Sequence, residues 1–285
     1  LRPRIFFSLV KGLLLTLFFL PAWGQAQDFF VDLKKELVNA GFDPSYVEEL
    51  FSRPEVHFVS RVMPRKLTHD EYKLNYAQFL EARRIKRARD FLQRHRQTLE
   101  ELAQKYEVSP EIMTAIALIE TDCGRITGKY RVFNILASLA VSKDWERVRP
   151  FLPEQLPPAE ENRLRKRMHK KSRWAFKELC ALIRFARENH LDPLSIKGSI
   201  FGAFGLPQFM PSSALRYGID ADGDGRIDLF SPADALASMA NYLQKNGYRE
   251  SLPPEKKIKA IMRYNWSRPY AETVLKVAQR LREKG

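Results

Sequence analysis

Between Ile112 and Ile119 every residue except Thr114 is apolar. A helix with no polar face needs neighbours on all sides, so the chain must fold as a helical assembly wrapped around this segment. Its ends are written in the flanking residues. Ser109 reads as an N-cap, Pro110 as the first helical residue, Glu111 as a first-turn acid and Gly124 as a stop. Glu120 then arrives alone at the C-terminal end. There a carboxylate meets the negative end of the helix dipole and loses solvent, and both effects favour the protonated form, the condition of a general acid. From this stretch alone, a Glu that reaches solvent or pairs with Arg125 fits as well.

What surrounds that helix is set by the rest of the 285 residues, of which 45% are apolar, enough for a sizeable core. The first 26 residues are a different matter. Arg2 and Arg4 precede an almost unbroken apolar run from Ile5 to Leu20, and small residues around Gly24 and Ala26 follow. This is the pattern of a secretory signal peptide, residues 1–26, too short in its apolar part for a comfortable membrane span. No cysteine follows the run to carry a lipid. A soluble, exported protein without a stable membrane anchor is expected.

Export bears on the two cysteines, Cys123 and Cys180. In an oxidising compartment an isolated pair invites a disulfide, which would contribute about 4 kcal/mol in the chain-entropy model. Two buried free thiols are the alternative. The formal charge of +14 calls for an acidic partner. Export argues against nucleic acid and leaves anionic lipid or an acidic wall polymer. Much of the charge sits in Arg83 to Arg89 and Arg163 to Lys171, runs that are either solvated helix faces or a docking surface.

Along the chain the pattern stays helical. Phe30, Leu33, Leu37 and Val38 share a face before a break at Gly41-Phe42-Asp43-Pro44, and Asp70 to Glu107 holds either two crossing helices or one bent one. After a proline-rich connection from Pro150 to Pro158, a basic helix and then an amphipathic one through Trp174, Leu179, Leu182 and Phe185 are predicted. Asp192 to Ser213 changes character: Gly198, Gly202 and Gly205 lie among Ile200, Phe201, Phe204 and Phe209, a spacing that lets backbone approach closely. No dinucleotide or phosphate fingerprint accompanies the glycines. Gln208, between Pro207 and Phe209, suits an amide or a sugar hydroxyl.

Asp220, Asp222, Asp224 and Asp228 occupy positions 1, 3, 5 and 9 of a calcium-type loop, with Gly225 at 6 and the Arg226 carbonyl at 7. Position 12 is Ser231 where such loops place a bidentate Glu, so the segment reads either as a weakened structural Ca²⁺ site or as a metal-free turn. Near the chain end, Tyr264, Trp266 and Tyr270 flank polar groups, an arrangement suited to stacking on sugar rings or to core packing.

Three segments coincide in order: Ile119-Glu120-Thr121 with Gly124-Arg125; Lys197-Gly198-Ser199 with Gly202-Ala203-Phe204-Gly205 and Gln208-Phe209-Met210-Pro211-Ser212; and the Asp-Gly-Asp-Gly loop followed by Ala233-Asp234-Ala235. In that combination the chain resembles the membrane-bound lytic transglycosylase B family over roughly Asp70 to Arg282. The resemblance implies a mainly α fold with a lysozyme-like core. It gives a helical N-terminal region (27–107), a catalytic core with the calcium-type loop (108–250) and C-terminal helices (251–285) completing the cleft. It implies a periplasmic, monomeric enzyme that cleaves the bond between N-acetylmuramic acid and N-acetylglucosamine in peptidoglycan glycan strands and needs no cofactor for the chemistry. Glu120 falls on the sole catalytic acid; Ser199, Gln208, Tyr242, Tyr264, Asn265 and Tyr270 fall on saccharide-contacting positions. The product implied is a 1,6-anhydro sugar. Asp122, the nearest other carboxylate in sequence, would point to another side of the helix and is rejected as a nucleophile. The chain departs from the family pattern at Cys123, at Leu206-Pro207, and in a longer, more basic 147–173 stretch. A non-catalytic peptidoglycan-binding protein of the same fold is the alternative.

Overall fold

The computed structural model describes residues 29–69 and 75–283. The expected signal peptide, and Asp70 and Tyr72 at the start of the next helical pattern, lie outside the described residues. The fold is mainly α, with one two-stranded ribbon that the sequence pattern did not announce.

Three short helices come first: α1 (Val31–Asn39), α2 (Pro44–Ser52) and α3 (Val62–Thr68). The expected break after α1 is real. The Asp43 carboxylate accepts the Tyr46 N–H at 2.8 Å and starts α2. A 3-10 turn at Tyr76–Leu80 leads to α4 (Ala82–Arg94) and α5 (Arg96–Tyr106), two helices meeting at His95.

The central helix is α6 (Pro110–Thr121), in which Ile112 to Leu118 are all buried. Both of its ends differ from expectation in detail. The Ser109 hydroxyl does not cap; it accepts a hydrogen bond from Arg282 Nη2 at 2.9 Å. The stop comes before Gly124, because Asp122 and Cys123 already take φ of 53° and 60°.

Next come β1 (Tyr130–Arg131), α7 (Val132–Val141), the single-turn α8 (Trp145–Val148) and α9 (Pro158–Glu188). At 31 residues, α9 is about 46 Å long and replaces the two helices expected there. Nothing in the sequence breaks it, and its buried stripe (Leu164, Met168, Ser172, Ala175, Leu179, Leu182) holds one face through the basic and amphipathic halves alike. Strand β2 (Lys197–Gly198) pairs antiparallel with β1, and α10 (Pro211–Tyr217), α11 (Pro232–Lys245), α12 (Pro254–Ile261) and α13 (Arg268–Arg282) complete the chain.

The buried side chains fall into two cores. One joins α1, α2 and α3 to α7, α9 and α10, with Phe204 and Phe209. The other joins α4, α5 and α6 to α11, α12 and α13, with Leu206. Packing therefore ignores chain order: α4 and α5, early in sequence, share a core with the last three helices. The glycine-rich block contributes to both cores, and Glu120 stands near the end of the helix that the second core surrounds.

Candidate active site

Glu120 is half-buried in the last turn of α6. Its Oε1 accepts a hydrogen bond of 2.7 Å from the Tyr270 hydroxyl, across 150 residues of sequence. Tyr270 is placed by the start of α13, where the Ser267 side chain accepts its N–H. Burial first, and then the Glu120 charge, push the Tyr270 phenol well above its ordinary pKa, and Tyr264 is raised for the same two reasons. Both phenols are therefore neutral donors beside the carboxylate.

The turn after Glu120 is fastened on two sides. Thr121 Oγ1 lies 3.2 Å from the Ala117 and Leu206 carbonyls and accepts the Gly124 N–H at 3.0 Å, which binds the end of α6 to the glycine-rich block. Asp122 turns away from Glu120 into α4, where it pairs with Arg87 and, at 3.9 Å, with Arg84. A left-handed Asp is costly on its own, and these arginines hold it there.

The block itself is shaped by close backbone approach. A Cβ on Gly198 would stand 2.1 Å from the Ala203 carbonyl oxygen, and one on Gly128, across the ribbon, 2.1 Å from Gly198 backbone atoms. No other residue type fits at either position. Ser199 Oγ accepts the N–H groups of Phe201 and Ala203, leaving its own hydrogen to donate. Gln208 takes φ of 48°, and its Nε2 donates to the carbonyls of Thr127 and Gly205, so the amide oxygen is the outward end.

From Glu120 the aromatic residues run as a row. Tyr264 stacks parallel to Tyr270 with centroids 6.5 Å apart, Tyr242 meets Tyr264 edge-on at 5.0 Å, and Tyr217 meets Tyr242 at 4.6 Å. Their hydroxyls are tied to backbone: Tyr264 to the Pro207 carbonyl at 2.6 Å and Tyr242 to the Arg263 carbonyl at 2.5 Å. Asn265 is half-buried in the connection between α12 and α13, and Trp266 beside it is 75% exposed.

At the calcium-type loop, oxygens of Asp220, Asp222 and Asp224 gather within 4.8 Å of one another. Asp220 accepts the N–H groups of Gly223 and Gly225, so the first ligand position folds the loop around itself. Asp228 stands outside that group and accepts the Phe230 N–H. The loop is closed by a residue outside the sequence assignment. Asp234, 1% exposed in the first turn of α11, accepts the Ala221 and Asp228 N–H groups and thereby bridges the two ends. Burial pushes its carboxyl above the usual range.

The sequence matches the SLT_2 family, described as the transglycosylase SLT domain, over residues 25–259. The chain belongs to this family. It is 30% identical over 235 residues to membrane-bound lytic murein transglycosylase B of Escherichia coli K12, covering 79% of this chain and 57% of that protein, so it spans little more than half of that relative. Among solved structures, soluble lytic transglycosylase SltB1 from Pseudomonas aeruginosa superposes with a TM-score of 0.71 at 26% identity, over 88% of this chain and 97% of that one. Escherichia coli Slt35, crystallised with calcium, shares the fold with a TM-score of 0.71 at 24% identity, over 89% of this chain and 92% of that one.

In this SLT_2 chain the expected disulfide does not form. Cys123 and Cys180 are free thiols because the two cores keep them apart: Cys180 lies on α9 in the first, and Cys123 packs against the second. Burial pushes Cys123 up to about 12 and raises Cys180 as well, so neither is a ready thiolate. Sequence reading also passed over Thr121, Arg87 and Asp234 as parts of the site. A Thr in a final helical turn, an Arg within a basic run and an Asp at a helix start all have commonplace uses, and only their distant partners reveal these roles.

Proposed function

We propose that this SLT_2 chain is a lytic transglycosylase that cleaves the MurNAc–GlcNAc bond of peptidoglycan glycan strands, with Glu120 as its single acid and base. The observation that carries this is the pairing of Glu120 with the neutral Tyr270 phenol while Asp122 is neutralised by Arg87 and Arg84. Glu120 protonates the glycosidic oxygen as the bond breaks. With Asp122, the nearest other carboxylate in sequence, tied to arginines, the substrate's own acetamido group is the natural stabiliser of charge at C1. Glu120, now ionised and steadied by Tyr270, takes the proton from the muramic 6-hydroxyl as that oxygen closes on C1, giving the 1,6-anhydro product.

Ser199 offers a hydroxyl donor and Gln208 a fixed amide oxygen to the sugars; Tyr264 and Tyr242, with Asn265, supply the saccharide wall, and Tyr270, buried behind them, reaches the sugar only through Glu120. Relatives of this fold have been crystallised with such fragments, as in SltB3 from Pseudomonas aeruginosa with NAG-anhNAM-pentapeptide. The Asp220, Asp222 and Asp224 oxygens, with the Arg226 carbonyl, fit a structural Ca²⁺, whose charge would tie the loop together and play no part in bond cleavage. The reading places the protein in the periplasm as a monomer.

The test is digestion of purified sacculi. Wild-type protein should release anhydro-muropeptides identifiable by mass, and Glu120→Gln should release none while melting at the same temperature. Reducing ends would mean hydrolysis, and intact sacculi with bound protein would mean a binder of the same fold.

A further inference from the structure

The basic stretch of α9 meets α3 and the glycine-rich block in a cluster the cleavage chemistry does not use. Lys66 Nζ on α3 lies 4.2 Å from the Phe201 ring centroid and 5.1 Å from that of Trp174 on α9, while Lys171 Nζ stands 5.5 Å from Trp174. Phe201 belongs to the block itself, and its N–H donates to Ser199 Oγ. The cationic cluster is thus joined through two residues to a proposed saccharide position.

Arg61, Arg65, Arg167, Lys170, Lys171 and Arg173 form no ion pair with any carboxylate among the described residues. Neighbouring Arg163 and Arg165, by contrast, pair with Glu160 and Glu161. Lys171 is pushed below the usual lysine range by burial and by the nearby charges of Arg167 and Lys170. Arg61, at the residue before α3, and Arg65, one turn into it, line a groove closed by Pro150 and Phe151, with the Arg61 guanidinium 5.8 Å from the Phe151 ring centroid. Such a field concentrates anions.

The geometry points to one occupant: we propose that the face shared by α3 and the first half of α9 binds the carboxylate-bearing peptide chains of peptidoglycan, holding the polymer while its glycan passes Glu120. This rests on the cell-wall reading above. An anionic membrane fits less well. Surface-seeking elements offer bare apolar side chains to the lipid, whereas Trp174 and Phe201 here lie under cationic groups, and Trp266, the large apolar side chain most exposed among the described residues, is in the connection between α12 and α13.

The test uses the whole protein carrying Glu120→Gln, so that binding is read without digestion. Cosedimentation is measured with intact sacculi, with glycan strands stripped of peptide by an amidase, and with vesicles of phosphatidylglycerol and phosphatidylethanolamine. Adding Arg167→Glu, Lys170→Glu and Arg173→Glu should weaken binding to intact sacculi roughly tenfold and leave binding to stripped glycan unchanged. A control with Lys245→Glu, Lys256→Glu and Lys259→Glu, the same charge change on α11 and α12, should bind intact sacculi like the parent. A glutamine version of the first triple, checked by its melt, should give a smaller loss of the same kind. Undiminished binding by the first triple, an equal loss in the control, or an equal loss on stripped glycan would each overturn the proposal. So would a loss confined to the vesicles. Wild-type protein that binds in this charge-dependent way but releases no anhydro product would sink the catalytic reading and leave this one standing.

Discussion

Replacing Thr121 by valine removes one hydroxyl and keeps the shape. That hydroxyl is 1% exposed with its residue, lies 3.2 Å from the Leu206 carbonyl and accepts the Gly124 N–H at 3.0 Å. Leu206 is 3% exposed, and its carbonyl has no other protein donor among the described residues. The substitution therefore strands a buried acceptor, while the freed Gly124 N–H belongs to an exposed residue and turns to solvent. The orphaned carbonyl costs about 1–3 kcal/mol, offset by about 1 kcal/mol for the added apolar group, which leaves a net loss near about 1 kcal/mol. For a chain of this size that corresponds to a fall in Tm of roughly 2–4 °C. The turn after Glu120 also loses its tie to the glycine-rich block. A carboxylate displaced by a fraction of an ångström should lower kcat about ten- to a hundredfold with KM little changed. Thr121→Ser keeps the hydroxyl and loses only a methyl, about 1 kcal/mol, and should retain activity within roughly threefold. Thermal melts and anhydro-product release on sacculi measure both. If valine and serine release product alike, or valine leaves kcat intact, the hydroxyl is not what holds Glu120.

Three further outcomes are expected. Tyr270→Phe removes a donor to a carboxylate, an interaction of about 1.5–3 kcal/mol, and should slow anhydro-product release roughly ten- to a hundredfold; a normal rate would mean that the phenol is a bystander. Calcium at a hundredfold excess over Kd should stabilise the protein by about 2.7 kcal/mol, seen as a rise in Tm, and Asp222→Asn with Asp224→Asn should erase that rise; no rise in the parent removes the metal from the loop. Both cysteines should resist iodoacetamide at pH 8 in the native protein, since the Cys123 thiol is pushed up to about 12, and both should be alkylated in urea without reductant. Failure to alkylate in urea would restore the disulfide.

Much of this was readable along the chain because it depends on local rules. An apolar run without a polar face has to be buried, and Ile112 to Leu118 are. Gly41 and Asp43 break the chain by their own backbone and side-chain preferences, wherever they are placed. The calcium-type spacing brings Asp220, Asp222 and Asp224 together because a short loop has few ways to fold. Reading failed where a residue answers to something far away. Ser109 has the right type for a cap, but Arg282 claims its hydroxyl. The cysteines looked like a pair by number, yet lie in separate cores.

The amino-acid sequence by itself determined that this is a helical protein built around one buried helix, that a lone carboxylate ends that helix, and that a glycine-rich block and an aspartate loop accompany it. Those are consequences of side-chain periodicity and backbone freedom over a few residues. Only the tertiary structure decided what the carboxylate meets: Tyr270 from 150 residues away, Thr121 tied to Leu206, and Asp122 withdrawn into Arg87. Those partners come from segments that are adjacent in space because the second core closes around α6, and no local pattern encodes which distant turn will arrive beside it.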